Sequence, residues 1–220
     1  MKKDQRLDDR TDDELVRLAQ KYHDAFQALY ERYHNRIYNY FWYRTRHNAD
    51  LSEDLTQDVF MKAFQHIDSY ESRGFSYLTY LLRIAHNRLI NSWRDGEDER
   101  IDEDVEEMPD PEDALEHIEN AEELAGLWHE VQKLPLKERD LILLKYRKDK
   151  SMEEIAHITG QSVGAVKVAL SRARKKLAKI FNADGIAKLE NVKTSTKFIE
   201  LARRIVGELD NKKEKSGRPH

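Results

Sequence analysis

Residues 151–181 read SMEEIAHITG QSVGAVKVAL SRARKKLAKI F, and their spacing decides the fold. Ser151 followed by Glu153 and Glu154 is a helix start, because a hydroxyl can accept a first-turn N–H while a carboxylate reaches back to the cap. Ile155 and Ala156 follow, and Gly160 breaks the run after eight or nine helical residues. Ser162 then caps a longer helix whose apolar positions are Val166, Ala169, Leu170, Ala173, Leu177 and Ile180. A short helix, a glycine turn and a longer capped helix make helix-turn-helix spacing. Ala156 is small where the two helices cross, and Ile158 and Val166 can close the small core between them.

The opposite face of the second helix offers Ser162, Lys167, Val168, Ser171, Arg172, Arg174 and Lys175. Free N–H groups in the first turn suit a phosphate, and the long cations downstream suit phosphates or guanine edges. A basic helix alone is more often a solvated surface. Cap, turn and the lack of any acid from 155 to 183 together favour DNA.

The chain has 220 residues, enough for one or two domains of roughly 100–200 each. Its formal net charge of −4 argues against a polyanion partner only while the charges are averaged. Residues 95–116 hold thirteen acids and one base, Arg100, whereas the remainder holds 37 bases against 29 acids. Two stretches carry no acid: 72–94, with four arginines, and 155–183, with six cations. Screening confines a surface field to about 8–10 Å at physiological salt, so these local balances matter more than the total. Aromatics are equally uneven, with sixteen of twenty lying between Tyr22 and Trp93.

Helical spacing recurs upstream. Phe26, Leu29, Tyr33 and Ile37 mark one helix. Leu55, Val59, Ala63 and Ile67, with Phe60 and Phe64 beside them, mark another behind a capping box at Asp50 and Glu53. Leu78, Leu82, Ala85, Leu89 and Ile90 mark a third after Gly74. No strand-like alternation persists. Pro109 and Pro111 inside the acidic run make 95–113 a flexible linker. Ile118, Leu124, Leu127, Trp128 and Val131 then line a helix ending at Leu134-Pro135, and 139–146 give another, too continuously apolar to be one-faced. The expected architecture is all-α: a helical domain over 1–94, the acidic linker 95–113, a helix-turn-helix domain over 114–181, and an extension 182–220 with helical spacing at 195–209.

Two further surfaces stand out. In 72–94, Phe75, Tyr77, Tyr80 and Trp93 interleave with Arg73, Arg83, Asn87, Arg88, Asn91 and Arg94. Rings that stack on unpaired bases beside cations that hold phosphates suit a single strand, although Tyr77 and Trp93 fit a core equally well. Glu53, Asp54, Gln57, Asp58 and Met61 share the face opposite Leu55, Val59 and Phe64; a charged face of this kind is ordinarily just solvated.

Other classes are disfavoured. The chain has no Cys, which excludes disulfides and thiolate metal sites and fits a reducing, cytoplasmic setting. No apolar run approaches the ~18 residues of a membrane span, and the N-terminus leads into polar chain rather than a signal-peptide core. The nine His lack metalloprotease spacing, and there is no Gly-rich phosphate loop. The expectation is therefore no catalytic residue, no metal, no cofactor and no enzymatic activity.

The segments Leu134-Pro135-x-x-x-Arg139, Ser151-Met152-Glu153-Glu154-Ile155-Ala156, Gly160-x-Ser162-x-Gly164-x-Val166-Lys167 and Ser171-Arg172-Ala173-Arg174 resemble the −35-binding region 4 of sigma-70 family factors. The resemblance is greatest to the compact extracytoplasmic-function (ECF) class. Upstream, DLTQDVF at 54–60 resembles that class's region 2.2, and YLLRIAHN at 80–87, with Tyr77 ahead of it, resembles regions 2.3–2.4. Both occur in family order, over residues 15–181.

The resemblance implies two helical domains that direct core RNA polymerase to promoters. It implies that Glu53, Asp54, Gln57, Asp58 and Met61 face the polymerase clamp, with the flap as a second contact on the enzyme. Arg73, Gly74, Phe75 and Ser76 would form the loop that captures a flipped base of the single-stranded −10 element, with Tyr80, Arg83, Asn87, Arg88 and Asn91 on the helix that reads it. Ser162, Lys167, Val168, Ser171, Arg172, Arg174 and Lys175 would meet double-stranded −35 DNA. An anti-sigma factor is a further implied partner, and the acidic linker would run through a positively lined channel. Two positions depart from the family pattern: Tyr80 stands where Trp is usual, and Ala169 where Arg is frequent. The alternative reading is a stand-alone helix-turn-helix regulator whose N-terminal helices dimerise or sense a ligand.

Overall fold

Thr11 opens the first helix, α1 (Asp12–Lys21): its Oγ1 accepts from the Glu14 N–H, and the Glu14 carboxylate accepts from the Thr11 N–H at 2.8 Å. That reciprocal cap satisfies two donors the helix itself leaves free. The computed structural model describes residues 10–45, 47–94 and 131–180. The chain divides into two compact units.

In the first, a 3-10 turn (His23–Ala25) joins α1 to α2 (Phe26–Trp42), followed by α3 (Ala49–Gln65), a second 3-10 turn (Ile67–Ser69) and α4 (Tyr77–Arg94). Leu15, Leu29, Ile37, Phe41, Leu55, Val59, Leu81, Ala85 and Leu89 are buried, one stripe from each helix at three- and four-residue spacing. Phe26, Leu29, Tyr33 and Ile37 of α2 are all in this core, as their periodicity requires. Buried hydroxyls at the α2–α3 turn and the start of α3 are hydrogen-bonded: Thr45 Oγ1 lies 2.9 Å from Ser52 Oγ, and Thr56 Oγ1 donates to the Ser52 carbonyl at 2.7 Å.

Two local expectations change here. The cap of α3 is Asn48, whose Oδ1 accepts from the Leu51 N–H at 2.8 Å; Asp50 lies inside the first turn, where its charge favours the helix dipole. The chain enters this cap through His47 in the left-handed region, at φ +66°, which sets the start two residues earlier than the acidic pattern suggests. Phe64 is not in the core. It is 41% exposed and packs edge-on against Phe26 and His23, with ring centroids 5.1 and 5.3 Å away.

Further along the chain come α5 (Leu136–Ile142), which runs on as a π-helical turn (Leu143–Arg147), then α6 (Met152–Thr159) and α7 (Val163–Ile180). Leu141, Ile142, Leu143 and Leu144 are all buried, so this segment is covered on more than one side, as its continuous apolar run foretells. Ser151 and Glu154 form the expected capping box, at 3.0 and 2.9 Å. Burial would raise the Glu154 pKa, but hydrogen bonds from Ser151 and Lys150 outweigh it and hold the carboxyl below its ordinary value. Gly160 turns the chain at φ +67°, a conformation that costs glycine nothing; an added Cβ there would meet no atom within 4 Å, so backbone conformation alone selects the residue. Ser162 Oγ accepts from the Ala165 N–H at 3.2 Å and starts α7.

Among the described residues there is no strand, and no helix is long and apolar enough to cross a membrane. The acidic linker 95–113, the helix expected ahead of Val131, and the extension with its helical spacing at 195–209 lie outside the described residues.

Candidate nucleic-acid interface

α7 has two faces of different chemistry. Val166, Leu170, Ala173 and Leu177 are fully buried, while Ser162, Lys167, Val168, Arg172 and Lys175 are exposed and Ser171 half-buried. Val168, at 52% exposed, is an apolar side chain held in solvent among cations, the arrangement that can meet a thymine methyl in a major groove. Ser162 caps the helix, so its hydroxyl is committed to the first turn while the remaining N–H groups there stay open to an anion. One expected residue does not belong to this face. Arg174 is 4% exposed, and its guanidinium donates to the Tyr146 hydroxyl at 3.4 Å. Lys176, by contrast, reaches back to Glu138 of α5 at 2.5 Å.

On α4 the exposed stripe is Arg83, Asn87, Asn91 and Arg94, with Tyr80 half-buried at its head. Its other face, Tyr77, Leu81, Leu82, Ala85 and Leu89, is buried, which settles Tyr77 as a core residue. Arg73, Gly74 and Ser76 are exposed and Phe75 half-buried in the loop ahead of α4. Gly74 sits at φ +81° with open space around it, and Ser76 Oγ accepts from the Thr79 N–H at 3.2 Å, so the loop turns at one and the helix begins at the other.

Tyr80 is not an isolated ring. Its centroid lies 4.7 Å from that of Tyr70 and 5.6 Å from that of Tyr77, and burial followed by the neighbouring Tyr70 raises its hydroxyl pKa. It therefore stays neutral at physiological pH. Tyr70 escaped the sequence reading because nothing in its local pattern ties it to Tyr80. Gln20 was missed for the same reason: from α1 its Nε2 donates to the carbonyls of Ile67 (3.1 Å) and Tyr70 (2.9 Å), fixing the chain that leads into the loop. Gln20→Ala should cost about 1–2 kcal/mol of stability, since two carbonyls lose their donor. A lower thermal midpoint, with amide exchange accelerated around 67–76 and not in α7, is the measurement.

On α3, Asp54, Gln57 and Met61 are exposed, whereas Glu53 and Asp58 are half-buried. Glu53 accepts from Gln57 at 3.2 Å and lies 3.4 Å from the His34 ring. Asp58 accepts from Arg88 Nε at 2.6 Å. The structure thus pairs with each other two residues that the sequence assigns to different surfaces.

Residues 29–98 match the family model for sigma-70 region 2, and residues 125–177 match that for sigma-70 region 4. The chain therefore carries two regions of one class of protein, in that class's order. The ECF RNA polymerase sigma factor BldN of Streptomyces coelicolor is 31% identical over 78% of this chain and 66% of its own length. The RNA polymerase sigma factor YlaC of Bacillus subtilis is 31% identical over 72% of this chain and 93% of its own. The structure of CnrH in complex with the cytosolic domain of CnrY shares the fold, with a TM-score of 0.54 at 24% identity over 79% of this chain and 98% of that one. The chain belongs to the sigma-70 family, in its ECF class, and is an RNA polymerase sigma factor that directs core enzyme to promoters.

Proposed function

We propose that the three exposed faces divide the work of initiation. α7 reads the −35 duplex through Lys167, Val168, Ser171, Arg172 and Lys175. The 73–76 loop and the Tyr80, Arg83, Asn87, Asn91 stripe of α4 take the −10 strand. Asp54, Gln57 and Met61 on α3 dock on the polymerase clamp, with Glu53 behind them. The observation that carries this reading is the chemistry of α4 and α7: each buries one face and offers on the other cations with no acid, joined on α4 by the amides of Asn87 and Asn91.

Energetics agree with that division. Extruding a base costs a few kcal/mol, and a ring that stacks on it returns roughly 1–3 kcal/mol. Phe75 and Tyr80 supply two such rings, so strand capture is near balance and the fixed geometry of docking on polymerase decides it. The protein needs no reaction chemistry of its own for this; binding free energy suffices. It acts where the polymerase is, in the cytoplasm. CnrH is held by the cytosolic domain of its partner CnrY, and we infer that a protein anti-sigma partner holds this chain as well.

Run-off transcription with core polymerase on a fragment library is the test, and failure to initiate anywhere would overturn the reading. For the docking face, Asp54→Ala with Gln57→Ala should weaken core binding by about 1–2 kcal/mol, roughly 5–30-fold. Helicity by circular dichroism should be unchanged, because both side chains are exposed.

A further inference from the structure

We infer that Asp58 and Arg88 act on each other as a positioning pair, tying the helix that docks polymerase to the helix that reads the −10 strand. The inference rests on the assignment of those two faces proposed above. Arg88 Nε donates to Asp58 Oδ2 at 2.6 Å, a short charge-assisted bond between residues thirty apart in sequence. Asp58 follows Gln57 and lies one turn beyond Asp54 on α3; Arg88 follows Asn87 and lies just under one turn before Asn91 on α4. Each partner is therefore adjacent to the contact residues of its own face while pointing at the other helix.

The apolar packing of α3 on α4 holds the two helices together but leaves sliding and rotation weakly specified, because apolar contact is non-directional. A directional ion pair at the partly exposed margin of that interface specifies one register. With side chains 32% and 44% exposed, the pair contributes little to stability. What it supplies is the spacing between Asn87–Asn91 and the docked surface. A recognition site needs its side chains within about half an ångström of their working positions.

The test uses holoenzyme assembled from core polymerase and the full chain, with Asp58→Ala, Arg88→Ala, the double variant, and the charge exchange Asp58→Arg with Arg88→Asp. Open-complex formation on one promoter should slow about tenfold in each single variant, the size of coupling typical of contacting residues. The double variant should be no slower than either single one, and the exchange should recover most of the rate. Core affinity and thermal midpoint should be unchanged throughout, which separates positioning from a general structural role. Multiplicative losses without recovery would overturn the proposal. So would weaker core affinity in Asp58→Ala alone, or an altered preference at a single −10 base in Arg88→Ala, since either would mark a direct contact. If the wild-type chain binds core but the resulting holoenzyme opens no promoter, the −10 assignment of α4 falls, and this coupling with it.

Discussion

Replacing Arg172 by Ala should weaken −35 binding by roughly 1–3 kcal/mol, between about fivefold and 150-fold, and leave the thermal midpoint where it is. Replacing Arg174 by Ala should do the opposite. Arg172 is exposed on α7, so on the proposed reading truncating it removes a contact with DNA and nothing within the protein. Arg174 is buried, and its truncation leaves a gap where the long side chain packed and takes away the donor to Tyr146. A loss of about 1–3 kcal/mol in stability is the ordinary scale for that change. Melting curves and −35 duplex binding measured on both variants separate the two roles. A second comparison refines Arg172: loss confined to promoters with the preferred base marks base readout, whereas equal loss on every duplex marks a phosphate contact.

The contrast between these neighbours shows where sequence reading succeeds. At 100° per residue, Arg174 lies only about 40° from Leu170 around the helix, at the edge of the apolar stripe, while Arg172 lies about 160° away. Charge alone put both on the DNA face; helix arithmetic separates them. The helix-turn-helix was legible because its devices are local. Ser151 with Glu154, Gly160, and Ser162 each act within four residues, and each is found doing so. The faces of α3 and α4 were legible because period 3.6 sorts buried from exposed along a single element.

What stayed hidden depends on residues far apart in the chain. Gln20 reaches Tyr70 across fifty positions, Arg88 reaches Asp58 across thirty, and Tyr70 stands against Tyr80 only because the loop between them turns at Gly74. No local pattern encodes such pairs; packing creates them. The misplaced cap at Asp50 has a different cause. Asn48 and Asp50 are both good capping residues, and the left-handed turn at His47, which the pattern does not reveal, chooses between them.

Salt should act on the −35 contact as strongly as the most damaging single substitution. Four exposed cations of α7, Lys167, Arg172, Lys175 and Lys179, can meet phosphates or base edges, whereas Lys176 is held by Glu138. If all four neutralise phosphates, log affinity falls with log salt at a slope of about −3.6, from roughly −0.9 per contact on duplex DNA. Raising salt from 50 to 200 mM then lowers −35 binding about 150-fold. Lys167→Ala should reduce the slope by about 0.9, and Val168→Ala should leave it unchanged while lowering affinity for thymine-containing sites. The net charge of −4 predicts none of this, because within a Debye length of about 8–10 Å the DNA meets α7 and not the average of the chain. A salt slope near zero in the −35-dependent part of holoenzyme binding would mean that these cations are merely solvated, and the readout by α7 would fail with it.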